Sequence, residues 1–240
     1  MRVAVALLPT LTAVRPLLPI AATLLSYEGG LRLQRYFRGN ALANPVLIAV
    51  TTIVAALSWV DDPKAEYTAG VQSLALLLGP TTVALALPLY RSLPRIRVSL
   101  VAVFVSVAAG AVTAAASAVC IASLLGASDL ILRSIATKSV TAAIAMAVAP
   151  QIGGDPALAA GLAVLTGIIG AVICGWVLDW TGVRDPRARG LATGVAAHGI
   201  GTARILAMDA EAGAFSGLAM GLAGLAAGIG LPLLYAWFAP

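Results

Sequence analysis

Eight apolar stretches, at about 16–36, 41–60, 71–90, 98–126, 128–149, 156–179, 187–207 and 213–239, leave this chain few ways to fold. Most reach roughly 20 residues, the length a helix needs to cross a hydrocarbon core of about 30 Å. The composition around them is 60% hydrophobic and 10% charged, with a mean hydropathy of +0.99. A soluble domain of this size needs about a quarter of its residues charged. Aromatics are only 5%, and the period-two alternation of a lipid-facing barrel is missing. Helices are the remaining way to satisfy backbone groups in lipid, so the predicted class is an all-α polytopic integral membrane protein of about seven or eight transmembrane helices. Residues 1–15, a short apolar run after Met1-Arg2 interrupted by Pro9, read as an uncleaved extension. Residues 16–240 then form a single transmembrane domain.

The formal charge of +5 falls largely in short loops, where it signals membrane orientation rather than nucleic-acid binding. Arg32, Arg35 and Arg38 follow the first segment, and Arg91, Arg95 and Arg97 follow the third. An acidic balance (Asp61, Asp62, Lys64, Glu66) lies between them. Alternation therefore predicts cytoplasmic arginine loops and an outer N-terminus. The loop with Arg184, Arg187 and Arg189 should also be cytoplasmic, with Asp209 and Glu211 outside. One extra reversal between about 127 and 149 is needed to keep that parity, and the stretch Ser128 to Thr137 is the candidate for a short re-entrant piece.

An internal repeat is a second expectation. Asn44-Pro45 resembles Asp155-Pro156, and Gly79-Pro80-Thr81-Thr82 loosely matches Gly199-Ile200-Gly201-Thr202. The charge reading gives the two copies opposite orientations, so 16–126 and 127–240 are predicted to form an inverted-topology repeat. In the last segment Gly217, Gly221, Gly224 and Gly228 have the spacing that lets helices approach closely in lipid.

Three places combine a helix break with hydroxyl groups: Thr81 and Thr82 after Gly79-Pro80; Lys138, Ser139 and Thr141; and His198, Gly199, Gly201, Thr202 and Arg204. Half-helices that begin within a membrane present free N–H groups and a partial positive charge, which suit an anion. Lys138 and Arg204 add full charges, and no acidic residue occupies these stretches. Arg204 has the geometry to grip a carboxylate through two bonds, whereas Lys138 acts as a point charge. His198 and Arg204 converge only if the backbone breaks between them, which Gly199 and Gly201 permit. These ten residues form the expected binding set for a small carboxylate. Each also has a plainer reading: interfacial snorkelling for Lys138, helix-end capping for Arg204 and the threonines, and hydrogen-bonded packing for His198. Cys120 and Cys174 lie apart in apolar runs and form neither a metal site nor a disulfide framework. No metal, cofactor or catalytic constellation is expected, and so no enzyme.

Read together, Lys138-Ser139-Val140-Thr141, Ile152-Gly153-Gly154, Ala188 to Ala192, His198 to Arg204 and Gly213-Ala214-Phe215-Ser216 resemble the LrgB/CidB/YohK family, as do Asn44-Pro45 and Gly79 to Tyr90. The resemblance covers roughly residues 17–239. It departs at Thr141-Ala142, where the family usually has Thr-Pro, and at Ala197, where a serine is usual. The resemblance implies a multi-pass protein of the bacterial inner (plasma) membrane and two kinds of function. Family names describe holin- and antiholin-like effectors that regulate murein hydrolase activity and autolysis beside a small LrgA/CidA-type membrane protein. A plastid relative translocates glycolate and glycerate, and bacterial relatives are linked to pyruvate uptake. The inferred anion site agrees better with transport of small monocarboxylates by alternating access; the effector role is the alternative. Expected partners are a small organic anion, an LrgA/CidA-like protein and the bilayer, with homo-oligomers left open and nucleic acid excluded. Proton coupling through His198 is a further expectation, and unchanged pH dependence of uptake in His198→Gln would remove it.

Overall fold

The computed structural model describes residues 17–37, 40, 43–59, 63–77, 80 and 86–238, and every regular element among them is helical. The chain falls into two compact units, residues 1–84 and 85–240. Thr81, Thr82 and Gly79 lie outside the described residues.

The first unit contains α1 (Leu17–Tyr36), α2 (Pro45–Leu57) and α3 (Pro63–Leu76). Asn44 starts α2: its Oδ1 accepts from the backbone of Val46 and Leu47, and Pro45 fills the first helical position, where its missing N–H costs nothing. A β-carbon on Gly30 of α1 would lie 2.8 Å from the Pro45 backbone, so only glycine permits this approach. Thr23 and Tyr67 join α1 to α3 by a 2.8 Å hydroxyl pair. The third helix starts at Pro63, inside what the charges suggested was a loop.

The second unit contains α4 (Ala86–Arg91), α5 (Leu93–Val98), α6 (Leu100–Leu124), α7 (Asp129–Ala136), α8 (Ala142–Val148), a 3-10 turn (Ala149–Ile152), α9 (Pro156–Trp180), α10 (Pro186–Met208) and α11 (Ala210–Phe238). Among the described residues three helices are long and apolar enough to cross a membrane: α6, α9 and, over Ala210–Trp237, α11. The five apolar segments after residue 97 therefore correspond to three full-length helices and two other elements. Both of those are hairpins.

The first hairpin is the extra reversal that the charges required. Helices α7 and α8 are separated by a non-helical Thr137–Thr141 tip, after which the chain returns to its starting level. Arg133 Nη1 donates to the Ile152 carbonyl at 3.1 Å, and the Asp155 amide donates to Ser134 Oγ at 2.9 Å. Thr141 caps α8 through the Ile144 amide, so the break forms without a proline at 142.

The second hairpin corrects an expectation. Segment 187–207 reads as a spanning segment with a break at Gly199–Gly201; the break is there, but α10 also reverses at His198 (φ 34, ψ −127), the only non-glycine with positive φ among the described residues. Its halves, α10a (186–197) and α10b (199–208), both lie along the first part of α11. Cβ atoms on Gly190 and Gly194 of α10a would collide with the carbonyls of Ala212 and Ser216. Coming back along α10b, Thr202 bonds Ser216 at 2.8 Å, and Leu206 lies against Gly213. The numbering on α11 rises with α10a and falls with α10b, as only a hairpin allows.

Asp209 and Glu211 consequently do not lie across the membrane from the arginine loop. Arg95 Nη1 meets Glu211 Oε2 at 3.0 Å, and Arg95, Arg184, Arg187 and Glu211 line one surface hollow. Within the chain the glycine seam of α11 is used only in part: β-carbons at Gly217, Gly221 and Gly228 would meet nothing within 4 Å. Close approach uses Gly190 and Gly194 of α10 instead. Of the four seam glycines only Gly224 is crowded, by Ile144 Cδ1 at 2.6 Å. The Asn44-Pro45 and Asp155-Pro156 likeness is accounted for by helix starting, since Asp185-Pro186 caps α10 in the same way.

Candidate functional site

Both hairpins lie between α9 and α11 and enter from opposite ends. On α9 the first packs along Ala159 and Ala163, which share a buried cluster with Val140, Ala145 and Ala149. The second takes over at Gly167, where a β-carbon would sit 2.5 Å from His198 Cε1, and at Gly170, where it would sit 2.7 Å from Ala197 Cβ. On α11 the changeover falls between Met220, beside Gly199, and Gly224, beside Ile144. Each interval is four residues, about 6 Å of helix, so the tips meet about one turn apart. Gly167 lies eleven residues after Pro156 and thirteen before Trp180, about 17 and 20 Å along α9. The meeting point is near the middle of the spanning helix.

Lys138, Ser139 and Thr141 sit on the first tip. Ser139 is buried, and its Oγ accepts from Lys138 Nζ at 3.2 Å. No carboxylate among the described residues pairs with Lys138. Its side chain borders an open groove of about 470 Å³ between α9 and α10a, with Thr166 and the exposed Ile169, Ile173 and Ala196 among the lining residues.

His198 and Gly199 form the second tip. His198 is only 3% exposed, faces the backbone of Ala163 and lies within electrostatic reach of Lys138. Its Nε2 is the only buried side-chain nitrogen or oxygen among the described residues left without a hydrogen-bond partner. Such a buried group carries a desolvation cost that a ligand or water bond removes. Gly201 packs against Thr193 and Ala197, which only a glycine allows at the base of the reversal. Thr202 is committed to Ser216 rather than to capping α10b.

Arg204 is separate from Lys138. It donates Nη1 to the Ala171 carbonyl and borders a cavity of about 290 Å³, with Arg184, Arg189 and Thr193. Arg189 is held by Asp179 at 2.7 Å and by the Val183 carbonyl at 2.9 Å. The groove and the cavity share only Cys174 and Leu178 of α9. At the mouth of this side, Arg187 bonds Asp185 and holds its carboxyl below the usual carboxylate range.

The structure thus brings Lys138, Ser139, Thr141, His198 and Gly199 to two facing tips, and places Gly201 and Arg204 on the arginine side of the second hairpin. The sequence does not mark Thr166 or Thr193, and it marks Arg189 only as a loop charge and as part of the Ala188 to Ala192 motif. The available signal for Thr166 was a hydroxyl in mid-segment, on the face repeated at Gly170, Ile173 and Val177. Ser216 was visible only as part of the Gly213 to Ser216 motif.

The sequence profile of the LrgB-like family matches residues 23–237. A Bacillus subtilis protein, YwbG, is 32% identical over 203 residues, 85% of this chain and 90% of the relative. The holin-like protein CidB of Staphylococcus epidermidis is 31% identical over 221 residues, covering 92% and 96%. That of Staphylococcus aureus is 30% identical over 225 residues, covering 94% and 98%. No solved structure matches.

Proposed function

The chain belongs to the LrgB-like family of bacterial membrane proteins, and from that premise we propose that it moves a small monocarboxylate across the membrane through a site between its two opposed hairpins. One observation carries the reading. Two hairpins enter from opposite ends and meet near mid-depth, and the lysine on one tip has no carboxylate partner among the described residues. An ionisable group at such depth is costly and is by default a sign of function. Half-helices α8 and α10b both begin at the tips, where their positive ends favour an anion. The open groove beside Lys138, of about 470 Å³, leaves room for a solute of a few heavy atoms.

The second reading is a holin-like effector that regulates murein hydrolase activity through a small LrgA/CidA-type partner. The staphylococcal relatives are named holin-like proteins, which favours it over transport as a description of the physiological role. The readings are compatible if solute movement is the molecular event behind the effect.

Purified protein in liposomes separates them. Transport predicts concentrative or exchange uptake of a labelled small carboxylate, lost in Lys138→Gln while the folded yield is unchanged. If no such acid is bound or moved, and Arg204→Ala changes only association with the partner, the transport reading is wrong.

A further inference from the structure

The cavity on the arginine side is walled, unlike the groove beside Lys138. Ala171 and Leu178 of α9, Thr193 of α10a, Gly201 of α10b and Ala212 of α11 line it, and each of them is buried. At its inner end Arg204 bonds the Ala171 carbonyl. Ala171 lies four residues past Gly167, the level of His198, and nine short of Trp180, the end of α9. Those intervals are about 6 and 14 Å along the helix, so the guanidinium is held well inside the membrane. At the outer end are Arg184 and Asp209, where α10 begins and ends.

The charges around this cavity do not balance. Asp179 holds Arg189 at 2.7 Å and Arg184 at 3.3 Å. Asp209 lines the cavity, and its Oδ1 accepts from the Ala212 amide. No carboxylate among the described residues pairs with Arg204, whose one bond there is to the Ala171 carbonyl. Taken together, these groups leave one positive charge in excess. A guanidinium has five N–H donors, so a carbonyl that takes one leaves a pair free to grip a carboxylate.

We propose that this cavity is a second anion station, distinct from the Lys138 tip, in which Arg204 holds a small monocarboxylate on the arginine side of the hairpins. The inference rests on the transport reading for the identity of the anion and adds a stop on its path. One carboxylate neutralises the excess charge, whereas a dianion such as sulfate reverses it. A strut from Arg204 to α9 would use one donor and no cavity. Cys174 and Leu178 line both the cavity and the Lys138 groove, so the two stations adjoin.

Cys174, on the cavity wall, reports occupancy. Full-length protein carrying Cys120→Ala is labelled in detergent with a neutral maleimide while acetate, lactate or sulfate replaces sodium chloride at constant ionic strength. Acetate and lactate are expected to slow the labelling of Cys174 to a plateau, with sulfate weaker. Half-protection should need at least about tenfold more acid in Arg204→Gln and be unchanged in Lys138→Gln. Gly175→Leu serves if Arg204→Gln folds poorly. A β-carbon at Gly175 meets nothing within 4 Å, and the residue lines this cavity but not the groove, so leucine there should fill the cavity and abolish protection. Protection kept in both Arg204→Gln and Gly175→Leu, or lost in Lys138→Gln, overturns the second station and leaves transport standing. Protection by added phosphatidylglycerol and by neither acid assigns the cavity to a lipid headgroup and also overturns it. No protection in protein that still takes up a carboxylate does the same, and no protection with no uptake overturns the transport reading too.

Discussion

The reversal of α10 at His198 can be tested without reference to any ligand. As an unbroken helix, α10 would carry the chain about 33 Å between Pro186 and Met208, enough to place Arg187 and Glu211 on opposite sides of a hydrocarbon core of about 30 Å. As a hairpin, it returns Glu211 to within 3.0 Å of Arg95, in the hollow that Arg184 and Arg187 also line. Single cysteines at Arg95, Arg187 and Glu211, in a background with Cys120 and Cys174 replaced by alanine, should react with a membrane-impermeant maleimide from the same side. Asp129→Cys should react from the other side, because the 25-residue α6 separates α5 from α7 by about 37 Å. The Arg95–Glu211 pair is well exposed, with side chains 62% and 28% accessible, so losing it costs little stability and the variants should fold. Labelling would be compared in right-side-out and inverted vesicles. If Glu211→Cys is labelled with Asp129→Cys rather than with Arg187→Cys, α10 spans the membrane and the two-hairpin architecture is wrong.

Two further outcomes follow from packing. Gly170→Ala drives a β-carbon to 2.7 Å from Ala197 Cβ and should cost about 1–3 kcal/mol, whereas Gly221→Ala meets open space and should stabilise α11 by about 0.5–1 kcal/mol. Thermal unfolding in detergent reads the opposite signs, and equal effects would count against the glycine contacts described. Thr202→Val or Ser216→Ala alone leaves a buried hydroxyl unpaired and should cost about 1–3 kcal/mol, while the double variant should recover most of that loss. Additive losses in that cycle would show that the two hydroxyls do not depend on each other.

The apolar runs that became α6, α9 and α11 were legible because length and composition alone decide whether a helix can span. Helices start where an Asn or Asp precedes proline, although in the sequence Asn44-Pro45 and Asp155-Pro156 read as a repeat. The first hairpin could be inferred because arginines obey an orientation rule that parity would otherwise violate. Of the second, the break was legible at Gly199 and Gly201, but the reversal was not. Its run from 187 to 207 has ordinary spanning length, and the reversal is confined to the backbone of His198, with no proline to mark it. Placing Asp209 and Glu211 outside relied on acids, which carry little orientation information compared with Lys and Arg. The glycine contacts within the chain were hard to place for a related reason. Four-residue spacing occurs at both Gly190–Gly194 and Gly217–Gly221, and only the path of α10 decides which pair is crowded. The separation of Arg204 from Lys138 has the same cause, because the hairpin turns Arg204 back along the arginine side.

The arrangement of charge bears on why hairpins, rather than further spanning helices, carry the tips. In the second unit the described acids Asp129, Asp155, Asp179, Asp185, Asp209 and Glu211 all sit at or next to helix ends, and none lies at the level where Lys138 and His198 meet. A full-length helix delivers its positive end only to the membrane surface. A half-helix delivers it to the interior, so two hairpins from opposite sides concentrate two such ends and a lysine at one depth. Such a place is costly when empty and favourable when an anion occupies it. An open water-filled pore would not need that arrangement, because water would screen the lysine and supply the missing bond to His198. Occupancy by a small anion, with the tips closed around it, uses the lysine and the half-helix ends together. A hole large enough for a folded enzyme uses none of them, so on the proposed reading a holin-like effect on the cell wall follows from the solute rather than from the width of a pore.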